Sequence, residues 1–152
     1  MLAQREAKKE GYSQVLWLDG IEQKYIEEVG AMNIFISFKD EVATPALNGS
    51  ILPGITRMSV IQLLKDWNYN INERLVSIQE VLESYEKNNL VEIFGTGTAA
   101  VISSISKLKF NEKLLMFDEV KPGELGMKLY EELTGIQYGK KEDKHGWMTY
   151  LD

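Results

Sequence analysis

Two glycine–threonine segments constrain this chain more than any other feature: Leu52-Pro53-Gly54-Ile55-Thr56-Arg57 and Phe94-Gly95-Thr96-Gly97-Thr98-Ala99-Ala100. The first is a Pro-Gly turn that feeds an apolar pattern of helical period, so it predicts the lead-in to a helix. The second lies between two apolar runs of strand type and predicts a loop joining two strands. Glycine lets another group come close to the backbone, and threonine adds a hydroxyl. Two such loops can grip one phosphate from two sides through backbone N–H groups. A third segment, Glu27-Glu28-Val29-Gly30-Ala31-Met32-Asn33, adds a carboxylate at a predicted strand end. Each piece also has a plainer reading. A Gly-x-Gly turn is common, and Thr56 suits a helix N-cap as well as a ligand. Adjacent residues of a strand point to opposite faces, so one of Glu27 and Glu28 is solvated and the other buried. A buried carboxylate needs a partner, and a protonated heterocyclic nitrogen would be one.

The rest of the chain supplies strands and helices around these segments. Leu2 to Glu10 is helix-forming, has no N-cap residue ahead of it, and stops at Gly11. Gln14–Leu18, Lys24–Val29, Asn33–Phe38 and Val42–Thr44 predict a meander of strands, the last ending at Pro45. From Thr56 to Trp67 the period changes, with Ile55, Val60, Leu63, Leu64 and Trp67 on one stripe. Ile71–Val76 predicts a strand. Ser77-Ile78-Gln79-Glu80 is a capping box that opens a helix to about Lys87. Leu90–Phe94, Ala100–Ile105 and Leu114–Phe117 predict further strands. A last helix starts near Pro122, uses Leu125, Leu129, Tyr130 and Leu133, and stops at Gly135. Trp147 and Tyr150 are the expected anchors of a polar tail.

The composition excludes several classes. The 152 residues suffice for a single domain over 1–152 with its own core. The formal net charge is −6. No basic stripe is present, which argues against nucleic acid as a partner but not against a local phosphate site. With no cysteine there is no disulfide, thiolate metal site or cysteine nucleophile, a composition compatible with the cytosol. His145 is the only histidine, so a Ser-His-Asp triad would have to use it. No apolar run is long enough to span a membrane.

Taken in order, the three segments resemble the C-terminal lobe of branched-chain amino acid aminotransferases, fold-type IV enzymes that use pyridoxal 5′-phosphate. The resemblance extends from Met1 to Thr134-Gly135-Ile136-Gln137-Tyr138-Gly139. The Val-Gly-Ala-Met-Asn version is closer to these than to D-amino acid aminotransferases or aminodeoxychorismate lyases, which stay as alternatives. The resemblance implies an α/β pseudo-barrel, with a mixed, mostly antiparallel sheet and outer helices. It implies that Glu28 keeps the pyridine nitrogen protonated and that Leu52 packs on the ring. Gly54 and the N–H groups of Ile55 and Thr56 would hold the phosphate, with the Thr98 hydroxyl. Gly97, Thr98 and Ala99 would offer N–H groups to the substrate carboxylate. Ala31 and Met32 would line an apolar pocket suited to leucine, isoleucine and valine. The amino acceptor implied is 2-oxoglutarate, and the parent enzyme implied is a cytoplasmic homodimer.

The sequence departs from that family in one respect. The lysine that carries the cofactor as a Schiff base lies upstream of the element matching Leu2-Ala3-Gln4, and so does a phosphate-binding arginine. Lys8 and Lys9 sit on a charged helix, read as a solvated face, whereas such a base needs a desolvated lysine. The expectation is a C-terminal piece of a longer enzyme, inactive alone and weak or lacking in cofactor binding. A non-catalytic binding module that reuses the lobe is the alternative of another class. Val101-Ile102-Ser103-Ser104 stands where some vertebrate members carry Cys-x-x-Cys, which excludes a thiol switch.

Overall fold

The computed structural model of the chain describes residues 2–117 and 123–149. After helix α1 (Leu2–Lys9), strands β1 (Leu16–Leu18), β2 (Ile26–Val29), β3 (Met32–Phe38) and β4 (Val42–Pro45) pair antiparallel in chain order. This is the expected meander. Its second strand begins at Ile26 rather than Lys24, because the Asp19 carboxylate accepts N–H bonds from Glu22, Lys24 and Tyr25 and closes that loop.

The connection then changes. Strand β5 (Ile71–Arg74) lies parallel to β4, so the chain between them must cross over the sheet, and helix α2 (Ile55–Asp66) makes that crossing. Helix α3 (Ile78–Glu86) leads to β6 (Leu90–Gly97), which pairs with the other edge of β3 over its whole length. Strand β7 (Val101–Ser104) pairs with β6. The result is a seven-stranded mixed, mostly antiparallel sheet with β3 at its centre. A separate hairpin, β8 (Lys107–Phe110) and β9 (Lys113–Met116), follows, and helix α4 (Glu124–Gln137) ends the regular structure.

Strand β3 is apolar almost throughout because both faces of the sheet are covered. Ile34, Ile36 and Phe38 pack with α3 through Val81 and Leu82, and with Leu108 and Leu115 of the β8–β9 hairpin. Phe35 points the other way, into a cluster with Val60 and Leu64 of α2 and Leu129 of α4. Its ring stacks on Phe94 across the strand pair, with centroids 5.3 Å apart. The β8 strand is not apparent in the sequence, because Lys107 and Lys109 alternate with Leu108 and give it the look of a polar stretch.

Several local expectations are corrected. Ile55 is 74% exposed and lies off the buried stripe of α2. Gly54, not Thr56, is the N-cap of α2, and Thr56 lies inside the helix. Ser77 does cap α3, accepting the Glu80 N–H at 3.0 Å, but the Glu80 carboxylate turns to Arg74. Gly135 lies inside α4, and the left-handed residue that follows the helix is Gly139, at φ +64°. Tyr130 is exposed. Gly11, at φ +87°, ends α1 as expected. Pro122 and Tyr150 lie outside the described residues.

Candidate functional site

The topology gathers the three sequence segments at one end of the sheet. Strand β4 runs antiparallel to β3, so its C-terminal end at Pro45 lies beside the start of β3. A crossover helix begins at the end where its preceding strand finishes, so the α2 N-terminus is there too. Asn33 sits directly opposite Glu28 on one side and Thr96 on the other. The β2–β3 turn (Gly30, Ala31) and the β6–β7 turn (98–100) therefore project from the same end. Gly30, at φ +61°, is the first central residue of its two-residue turn, a position that favours glycine. The Trp17 indole N–H donates to its carbonyl at 3.0 Å.

Directly opposed residues of antiparallel strands share a face, so Glu28, Asn33 and Thr96 form a row on the α2 side. Glu28 is half-buried, not buried. Its Oε1 accepts the Leu52 N–H at 3.1 Å and the Asn33 Nδ2 at 3.4 Å, while Oε2 has no hydrogen-bond partner among the described residues. Glu27 is engaged separately, accepting the Ser50 hydroxyl at 2.6 Å. Both carboxylates thus tie the 50–52 segment to β2.

That segment delivers the chain to α2. Gly54 at the N-cap offers no side-chain cap, and the first turn holds no acidic residue. The N–H groups of Ile55 and Thr56 therefore face outward without intrahelical partners, at the positive end of a twelve-residue helix. Gly54 is also required sterically: a Cβ there would stand 2.2 Å from Asn33 Oδ1. Arg57, in the same turn, is 2% exposed and reaches back to the Pro45 carbonyl at 3.0 Å and to Glu73 at 2.8 Å. It bolts the helix start to β4 and β5.

The second glycine–threonine segment is strand up to Gly97, with a turn at 98–100. Its alternation has a physical reason. A Cβ at Gly95 would meet Met32 Cε and Val29 Cγ1 at 3.0 Å, and one at Gly97 would meet Met32 Cγ at 3.2 Å. The glycines make room for Met32 on one face, while Thr96 takes the other. Met32 thus lies behind the sheet from Glu28 and packs on the α3 side. Thr98 and Ala99 are exposed at the tip, as is Ala31 on its own turn. Val101, which closes the tip, adopts φ +57°, a strained state for a β-branched residue.

The structure brings Glu28, Leu52, Gly54, Ile55 and Thr56 together and sets Gly97, Thr98, Ala99 and Ala31 at the same end. Asn33, Thr96 and Arg57 join the site without a role that the sequence motifs imply. Only their polarity within apolar runs marked them, and their burial comes from tertiary contact. The site is an open surface, with Leu52 69% exposed. A cavity of about 720 Å³ opens instead behind the sheet, lined by Ala7, Tyr12, Leu16, Met32 and Leu108, and does not touch Glu28 or Thr56.

Comparison with known proteins gives the family and the fold. The Amino-transferase class IV family profile matches residues 1–108. A probable branched-chain-amino-acid aminotransferase of Staphylococcus epidermidis is 56% identical over 147 residues, covering 97% of this chain and 41% of that protein. Branched-chain-amino-acid aminotransferase 2 of Bacillus subtilis is 53% identical, covering 97% and 40%. The chain thus spans about two-fifths of the length of these curated relatives. Among solved structures, the branched-chain amino acid aminotransferase of Escherichia coli superposes with a TM-score of 0.77 at 29% identity, over 96% of this chain and 45% of that one. The T.th. enzyme, solved with pyridoxamine 5′-phosphate, does so with a TM-score of 0.80 at 26% identity, over 99% and 45%.

Proposed function

The chain belongs to the amino-transferase class IV family, and on that premise we propose that it forms the C-terminal lobe of a branched-chain amino acid aminotransferase using pyridoxal 5′-phosphate. The observation that carries this reading is the Glu28 carboxylate: Oε1 is held by Leu52 and Asn33, and Oε2 is left to receive a proton donor. When bound, the cofactor supplies a protonated pyridine ring that takes up the electron pair left when the substrate Cα loses its proton.

The residues of this chain fit that group. Glu28 would hold the ring N–H and keep it charged. Leu52 would offer its exposed side chain to the ring. The uncapped N–H groups of Ile55 and Thr56, with Gly54 leaving the backbone bare, would bind the phosphate, aided by the α2 dipole. The Thr98 hydroxyl would add a donor from the facing turn. The Gly97, Thr98 and Ala99 backbone would orient the substrate carboxylate. Ala31 would line an apolar pocket for leucine, isoleucine or valine, with 2-oxoglutarate as the other substrate. Met32, behind the sheet, would shape that pocket through the glycine backbone it packs against. The lysine base would lie in the part of the relatives that this chain does not match, a reading supported by the exposure of Lys8 and Lys9 on α1. A homodimer is proposed for the whole enzyme, in the cytoplasm.

The test is a titration of the chain with pyridoxamine 5′-phosphate. Weak binding is expected, reduced about tenfold by Glu28→Gln and by Thr98→Val, each removing one charge-assisted contact. Equal binding by all three proteins would overturn the site. Borohydride reduction with pyridoxal phosphate should leave no unique lysine adduct. A stoichiometric adduct reversed by L-leucine before reduction would overturn the placement of the base.

A further inference from the structure

We infer that Asn33 is a positioning residue that couples the two ends of the cofactor site, setting the Glu28 carboxylate and the entry to α2 through one side-chain amide. The inference rests on the cofactor reading above.

Asn33 is 6% exposed, on the central strand, between Glu28 and Thr96. Its Nδ2 donates to the Leu52 carbonyl at 2.8 Å and to Glu28 Oε1 at 3.4 Å. The Leu52 carbonyl can only accept, so the amide orientation is fixed, and Oδ1 is left against Gly54. Leu52 answers on both sides: its N–H donates to the same Glu28 oxygen at 3.1 Å, and its carbonyl also accepts the Gly54 N–H at 2.8 Å. Glu28, Asn33 and the 52–54 backbone thus close a small ring of hydrogen bonds. One end presents Glu28 Oε2, and the other ends at the N-cap of α2. A buried donor shared between two acceptors ties their positions together, because moving either strands a polar group. The acid for the ring nitrogen and the N–H groups for the phosphate are therefore set as one unit.

The experiment compares wild type, Glu28→Gln and Asn33→Asp, which keeps the size of Asn33 but removes its donors. Gly54→Ala is a second route, because its Cβ presses on Asn33 without changing it. In the cofactor-free chain, amide exchange at Leu52 should be about tenfold faster in Asn33→Asp and Gly54→Ala. In titrations, Glu28→Gln should weaken pyridoxamine 5′-phosphate but not inorganic phosphate, whereas Asn33→Asp and Gly54→Ala should weaken both about tenfold. Asn33→Asp should also change the pH at which the bound pyridoxamine spectrum shows loss of the ring proton, which a merely structural residue would leave in place. Unchanged Leu52 exchange in both variants overturns the inference whether or not cofactor binds. Phosphate binding untouched by either variant, with Glu28→Gln still weakened for the cofactor, also overturns it and leaves the cofactor reading standing. If Glu28→Gln binds the cofactor like wild type, the reading itself fails and takes the inference with it.

Discussion

At the residue scale, the row Glu28–Asn33–Thr96 shows how single side chains acquire meaning from their neighbours. Glu28 and Glu27 are chemically alike, but Glu27 accepts the Ser50 hydroxyl, whereas Glu28 accepts the Leu52 N–H and the Asn33 amide at the entry to α2. Thr96 is the opposite case. It is 1% exposed, and its hydroxyl has no hydrogen-bond partner among the described residues. An unsatisfied buried hydroxyl costs about 1–3 kcal/mol, so Thr96→Val, which keeps the shape, should leave stability unchanged or raise it by about 1 kcal/mol. Urea unfolding measures this, and a clear loss would mean that the hydroxyl has a partner. The three motifs were legible as two glycine–threonine segments and a carboxylate at a strand end. The bond from Asn33 to Leu52 was not, because it spans nineteen positions of sequence and exists only once β3 and the 50–54 segment meet.

At the element scale, α2 matters most, because its role as a parallel crossover places its N-terminus beside the turns of the antiparallel meander. Its amphipathic period was plain in the sequence, but its direction relative to the sheet was not. The second glycine–threonine segment was predicted as a loop and is largely strand, since Gly95 and Gly97 serve side-chain packing against Met32. Helix ends give two tests. Ser77→Ala should cost about 1 kcal/mol by removing the acceptor of the Glu80 N–H at the start of α3. At the end of α4, Gly139→Ala should cost about 1 kcal/mol because of its positive φ. Gly135→Ala should cost less, since the gain in helix propensity offsets the shift of the Lys141 side chain, 2.8 Å from the added Cβ. Denaturation midpoints of the two variants rank them, and the reverse order would restore Gly135 as the stop.

At the scale of the whole molecule, the acid response sums groups of opposite sign. Backbone N–H groups of Tyr25, Lys24 and Glu22 hold the Asp19 carboxyl down at about 2, and Arg74 lowers that of Glu41. Their stabilisation is fully present above the ordinary carboxylate values and is lost as pH falls through the lowered ones. Glu92 acts in the other direction. Burial raises its carboxyl pKa, although it accepts the Leu125 and Gly126 N–H groups at the start of α4. Its share is present at low pH and is lost as pH rises through the raised value. Unfolding followed from pH 6 to pH 2 should show a falling stability that Asp19→Asn flattens, and an unchanged slope would remove Asp19 from the account. No helix among the described residues is long and apolar enough to cross a membrane.

The sequence by itself determined the family and most of the elements. Periodicity, caps and glycine turns act over a few residues, and three ordered segments suffice to mark the lineage. Only the tertiary structure decided which face each site residue takes and what holds it. It put Met32 behind the sheet, made Gly54 rather than Thr56 the cap, and let Asn33 join Glu28 to the helix entry. Those outcomes depend on strand register and on burial from both sides, which arise when distant segments pair and which no local pattern encodes.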